Sequence, residues 1–189
     1  MYRRSGFFLA AMGLLAVLAS TPALRAEDPK PLEVFTAFGV QMQTGMAGAV
    51  EIAIYRWSTD AEREELKAVL KAAGSPAVAA QLQQMPTVGY FKLPDTLGKT
   101  CYYAQSRDLP DGTRQVVVAT DRFVAMQTIS PQASQYDLSI VELRLPKSGK
   151  GEGKIVLAGK ASFDKDGKVQ ISNYQGGPVL LKDVKSSTR

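Results

Sequence analysis

The chain has no histidine among its 189 residues. That absence excludes Ser-His-Asp and Cys-His catalysis, and with them histidine-ligated zinc, copper, haem and non-haem iron. There is a single cysteine, Cys101, so no disulfide can form within the chain. Cys101 lies in TCYYA, an apolar and aromatic strand pattern, and reads as a buried, inert thiol rather than a reactive one. Tryptophan occurs once, as Trp57. Beyond the N-terminal segment, no apolar run approaches the roughly 20 residues of a membrane-spanning helix.

What is present starts with MYRRSGFFLAAMGLLAVLASTPALRA. Arg3 and Arg4 precede an apolar stretch from Phe7 to Ala19, and small residues follow. This is the pattern of a secretory signal peptide cut after Ala26, or second best after Ala23. The apolar stretch is short for an uncleaved anchor. No cysteine lies near the cut, which argues against a lipid-anchored lipoprotein. The expected organisation is a signal peptide over 1–26 and a single mostly-β domain over 27–189, with a helical insert over 59–85. The expected location is periplasmic or secreted, with no membrane span once the leader is removed.

The leader holds Arg3, Arg4 and Arg25 and no acid. The remaining 163 residues have 20 basic and 18 acidic side chains, a net charge of +2 rather than +5. A nucleic-acid binder would be more basic, so no nucleic-acid partner is expected. The charge is uneven: −3 from Glu27 to Pro146 and +5 from Lys147 to Arg189. Lysines on exposed strands discourage edge-to-edge pairing, which is one reading of the basic end. A face for anionic lipid, polysaccharide or an acidic partner is the other.

Hydrophobic period places the elements. LEVFTAFGVQMQ alternates, with Leu32, Val34, Thr36, Phe38, Val40 and Met42 as one face. TGMAGA reads as a turn and VEIAIYRW as a second strand, forming a hairpin with the first. After Trp57 the period changes. Thr59 and Glu62 fit a capping box, with Asp60, Glu62, Glu64 and Glu65 near the positive end of the helix dipole. Leu66, Val69, Leu70 and Ala73 repeat at helical spacing, and Gly74 supplies a stop. Ser75-Pro76 starts a second short helix, serine as cap and proline at its first position, with Val78, Leu82 and Met85 as its stripe.

Strands are expected over Thr87–Leu93, Thr100–Arg107 and Arg114–Thr120, the last two joined by LPDG, a strong hairpin signal. Others follow over Arg122–Ile129, Leu138–Leu145, Lys154–Phe163, Lys168–Tyr174 and Val179–Val184. SPQASQY and KSGKGEGK read as a loop and a flexible link, and KSSTR as a frayed tail. Short connections require antiparallel pairing. The fold class is therefore α+β, mainly β: a bent antiparallel sheet, barrel or sandwich, with an inserted pair of short helices.

Few motifs carry chemistry. KSGKGEGK lacks a phosphate loop's spacing, because Ser148 stands where a glycine is needed and Ile155 where Ser or Thr should follow Lys154. FDKDGK has the first acids of a calcium loop but no bidentate acid at its twelfth position. No metal site and no cofactor is expected. Glu51, Asp121 and Glu142 are the carboxylates that could face a cavity, or they pair with Arg56, Arg122 and Arg144. Aromatics with polar tips suit ligand sites, so Trp57, Tyr90 and Tyr102, with Arg56, form the candidate ligand-binding set. Arg56 could meet a ligand carboxylate, or bond Glu62 or Glu65. Tyr102 and Tyr103 should point to opposite faces of their strand.

The strings RWSTDAERE, PTVGYF, LPDGTRQVVVATDR and ELRL…GKGEGK resemble a set of small exported bacterial proteins of unknown function. The resemblance covers about Glu33 to Val184. It implies export and one mostly-β domain, and it supplies no reaction, ligand or catalytic residue. The expected function is an exported, non-catalytic β domain binding a small apolar or amphipathic ligand or a protein partner. The alternatives are an envelope-associated interaction protein using the basic C-terminal face, or a small carboxylate-dependent hydrolase.

Overall fold

A computed structural model of the chain describes residues 30–42, 45–94, 97–121, 138–147, 150–158, 160–163, 169–172 and 178–188. The expected leader, the strand expected over Arg122–Ile129, the SPQASQY loop and the DKDG turn lie outside them. In chain order the elements are β1 Glu33–Gln41, β2 Met46–Ile54, α1 Asp60–Leu82, β3 Gly89–Lys92, β4 Lys99–Cys101, β5 Tyr103–Asp108, β6 Arg114–Thr120, β7 Leu138–Leu145, β8 Gly151–Ala158, β9 Lys160–Phe163, β10 Val169–Ser172 and β11 Val179–Thr188. Among the described residues no helix is long and apolar enough to cross a membrane.

The nine-stranded sheet runs in the order β4, β3, β2, β1, β11, β8, β7, β6, β5. Every pairing is antiparallel, as the short connections require. β9 and β10 form a separate hairpin between β8 and β11. The two ends of the sheet order, β4 and β5, are one run of chain with only Tyr102 between them. The first half of that run pairs with β3 and the second with β6. The result is a nearly closed, barrel-shaped up-and-down meander, which decides between barrel and sandwich.

A bulge makes that closure. Tyr102 N donates to Ala119 O at 3.1 Å, and Tyr103 is Ala119's register partner. Two residues thus stand against one, which bends a strand and raises its twist. Alternation is lost there, and Tyr102 and Tyr103 both pack into the same cluster outside the barrel, not on opposite faces as strict period two predicts.

The inner faces meet in one apolar core that includes Phe35, Val50, Ile52, Phe91, Val116, Leu143, Ile155 and Leu181. On β1 the buried set is Glu33, Phe35, Gly39 and Gln41. The larger apolar set read from the sequence faces outward, with Phe38 49% and Met42 74% exposed. The interior selects small residues where strands crowd: a Cβ on Gly39 would stand 2.9 Å from a Val50 methyl. Crowding also explains β8. Gly151 and Gly153, expected in a flexible link, are strand residues. A Cβ on Gly153 would lie 2.5 Å from Glu142 O, so glycine permits the close approach of β7. β2 likewise begins at Met46, inside the expected turn. The C-terminal tail, expected to fray, is strand through Thr188 and pairs with β1.

The helical insert follows the sequence closely. Glu62 N donates to Thr59 Oγ1 at 3.2 Å, and Thr59 N donates to Glu62 Oε2 at 2.7 Å, closing the capping box. Gly74, at φ 77° and ψ −172°, breaks α1 into two helical stretches. Ser75 does more than start the second stretch: its buried hydroxyl donates to Ala161 O at 3.3 Å and accepts from Ala161 N, tying the kink to β9. The LPDG turn is also as expected, with Gly112 at φ 78° and Thr113 N donating to Asp111 Oδ1 at 2.8 Å.

Cys101 lies fully buried on the inner face, and burial pushes its thiol up to about 12. We expect no reaction with Ellman's reagent at pH 8 in the native state and one equivalent after unfolding in guanidinium. Rapid modification of native protein would contradict this placement.

Candidate functional site

The barrel interior holds the buried apolar core, and a cavity lies outside it, against the outer face of the sheet. RQVVVAT and LSIVELRL are apolar on both faces. On β6 and β7 the outward set includes Val117, Ala119, Leu138 and Ile140, which needs a cover. α1 supplies it, presenting Leu66, Leu70, Val78 and Leu82. The Ser75–Ala161 tie holds the kink of α1 on β9. Between helix and sheet a half-open groove of about 640 Å³ remains. Ala161 and Val169 of the β9–β10 hairpin line it beside Leu138 and Val78.

The groove changes character along its length. Toward the start of α1, Arg63 and Lys67 meet Gln105, Arg107, Gln115 and Glu142 from the sheet. Arg107 Nε donates to Gln115 Oε1 at 2.6 Å, and Gln115 Nε2 donates to Glu142 Oε1 at 2.6 Å. Lys154 and Arg144 also approach Glu142, each at 3.2 Å. Burial pulls the Glu142 carboxyl upward, but the hydrogen bonds from Gln115, Lys154 and Arg144 outweigh it and hold the group below its ordinary value. Tyr103 lies under this end, donating to Gln105 Oε1 at 2.9 Å. Burial pushes its phenol up to about 12, opposed by the nearby Arg63 and Arg107 charges. At neutral pH the groove therefore holds a protonated phenol and an ionised, fully engaged carboxylate.

The four residues expected to bind ligand are dispersed, and none lines this groove. Arg56 is bidentate to Glu62 at 2.9 and 3.0 Å and also donates to Pro86 O at 3.0 Å, the intramolecular alternative read from the sequence. Trp57 sits at one barrel mouth, its ring 5.6 Å from the Arg114 guanidinium. Tyr90 is on the outer side of β3, donating to Glu51 Oε1 at 2.8 Å. Tyr102 borders the helix–sheet cluster next to the groove. Of the other carboxylates considered, Asp121 is buried beside the Thr120 hydroxyl at 3.3 Å. Of the residues lining the groove, Glu142 is one of the carboxylates expected to face a cavity or pair with arginine, and it does both; the apolar lining is not marked by any single residue type. The available signal was two-sided apolarity on β6 and β7, which calls for an outer cover.

A second depression, of about 600 Å³, lies near Arg114, Ser186 and Lys147 and is lined largely by polar and turn residues. The Arg114 guanidinium there is already engaged with Glu33 and Ser106. No protein-family model, no curated protein and no solved structure matches the chain.

Proposed function

We propose that this chain is an exported, non-catalytic β-barrel protein that binds a small amphipathic molecule in the groove between α1 and the outer face of β5, β6 and β7. The single observation that carries the reading is the groove itself: about 640 Å³, with apolar floor and wall and polar groups gathered at one end. That is the size and lining of a small-molecule site. Export rests on the leader pattern of residues 1–26. A carboxylate-dependent hydrolase needs a proton-donating acid, whereas Glu142 is held ionised by three partners. An interaction surface built on the basic C-terminal strands is weakened by Lys150 and Lys154, which pair with Asp183 at 2.9 Å and Glu142 at 3.2 Å.

The test uses the chain from Glu27 onward and the neutral fluorophore N-phenyl-1-naphthylamine. We expect saturable fluorescence enhancement, weakened roughly tenfold or more by Ile140→Asp, which places an unpaired carboxylate on the apolar floor between Ala119 and Val156. Ile140 is only half-buried, so thermal unfolding should change little. Absence of uptake by the unsubstituted protein overturns the reading.

A further inference from the structure

The groove is polarised, and its polarity selects a class of ligand. We infer that it takes a free, single-chain amphiphile with one anionic head, a medium-chain carboxylate, with the head beside Arg63 and Arg107 and the alkyl chain directed toward Leu138 and Ala161. This rests on the function proposed above and goes beyond it in naming charge, chain number and orientation.

The head end follows from the charges. Arg63 reaches the groove from α1 and Arg107 from β5, and both act on the Tyr103 phenol between them. Lys67 lies one turn along from Arg63 on the same helix face. Arg63 is 3.3 Å from both Asp60 and Glu64, and Lys67 is 3.1 Å from Glu64; these are exposed pairs that an incoming anion can displace at little cost. Arg107 has no carboxylate partner among the described residues. Its Nε is held by Gln115, whose own amide is fixed by Glu142. That chain orients the guanidinium and leaves its two terminal nitrogens, a fork suited to a carboxylate. Among the residues lining the groove, Arg63, Lys67 and Arg107 stand against the single acid Glu142, an excess of positive charge that a monoanion complements.

The tail end follows from the sheet. From Glu142 the floor passes Ile140 to Leu138, four residues of β7, or about 14 Å at strand rise. Among the described residues no charged side chain lines the floor beyond Glu142 in that direction, where Ala119, Val78 and Leu82 complete an apolar trough. Such a trough fits one alkyl chain lying along the strands.

The experiment titrates the chain from Glu27 onward with dodecanoate, dodecanol and dodecyltrimethylammonium, each below its micellar concentration, reading displacement of N-phenyl-1-naphthylamine. Dodecanoate is expected to bind at least tenfold tighter than dodecanol, and the cation weakest. Decanoate should be roughly tenfold weaker than dodecanoate, the loss of two buried methylenes. Arg107→Gln and Arg63→Gln, both at the open rim, should each lower dodecanoate affinity toward that of dodecanol. Equal binding of all three head groups overturns the inference while leaving the amphiphile-binding reading in place. Failure of the fluorophore itself to bind overturns both. Capture by phosphatidylglycerol vesicles without displacement by free dodecanoate overturns the free-ligand assignment.

Discussion

Glu33→Ala is expected to destabilise the protein by about 2–3 kcal/mol, the largest effect of any single charged substitution. Glu33 is on the inner face of β1 and only 6% exposed. Its carboxylate accepts from Arg114 Nη1 at 2.7 Å and Nη2 at 2.8 Å, and from the Ser186 hydroxyl. Arg114 Nε donates to Ser106 Oγ at 2.6 Å, and its guanidinium lies 5.9 Å from the Phe35 ring centre and 5.6 Å from that of Trp57. The cluster plugs one mouth of the barrel. Removing the acid leaves a half-buried guanidinium without its counter-charge. Replacing both partners, as in Glu33→Leu with Arg114→Met, should cost less than either single change, because no charge is then stranded.

The pH dependence has a definite sign. Burial pushes the Glu33 carboxyl up, but hydrogen bonds from Arg114 and Ser186 together with the Arg114 charge outweigh it, so the folded-state value lies below the ordinary 4.5. The stabilisation is therefore complete above about pH 4.5 and is lost as pH falls through the lower folded value. Urea unfolding followed by circular dichroism, with Trp57 fluorescence as a reporter of this mouth, should show a steeper acid limb for the native sequence than for Glu33→Gln. A Glu33→Ala protein within 0.5 kcal/mol of the parent, a typical surface-mutation scatter, would show that the plug contributes nothing.

Gly89→Ala is expected to cost about 3 kcal/mol or more and to lower the melting temperature by roughly 10 °C. An added Cβ would stand 2.1 Å from Ala53 O, 3.2 Å from Ala53 C and 3.3 Å from Ile54 Cα. All three are backbone atoms of β2, where Ile54 is the register partner of Gly89 and Ala53 that of Tyr90, so relief requires parting β2 from β3. Gly98→Ala is the matched control. Its nearest neighbour would be an atom of the Tyr90 ring at 3.2 Å, a side chain able to yield, and its cost should stay below about 1 kcal/mol. Equal melting temperatures for the two variants would mean that β3 does not approach β2 as described.

The elements that could be read directly were those whose signals are local. β6 and β7 have the bounds expected from the sequence, because short runs rich in β-branched and other apolar residues end at polar or turn residues. The capping box at Thr59 and Glu62 and the break at Gly74 are satisfied within a few residues of chain. Errors arose where a distant strand changes what a residue can do. Gly151 and Gly153 resemble a linker until β7 comes close enough to exclude a side chain. Lys185 to Thr188 resemble a loose tail until β1 pairs with them. Glu33 carries no local signal of burial, because the groups that enclose it, Arg114 and Ser186, stand 81 and 153 residues away. The candidate site was harder still. Arg56, Trp57, Tyr90 and Tyr102 are plausible as residue types, but proximity between them depends on where the sheet curls, which no single segment encodes.

The order of residues alone determined a mainly β chain with antiparallel neighbours, a helix pair after the lone indole, an inert cysteine and the exclusion of histidine chemistry. These follow from side-chain period, capping chemistry and composition, all local or additive properties. Only the tertiary structure decided that the strand from Lys99 to Asp108 bends at Tyr102 to bring the sheet nearly round on itself, that Glu33, Phe35, Gly39 and Gln41 are the buried face of β1, and that α1 leans on β9 and leaves a polarised groove over β6 and β7. Those outcomes depend on register and on close approach between segments far apart in the chain, where a fit between two surfaces, rather than the preference of either, sets the geometry.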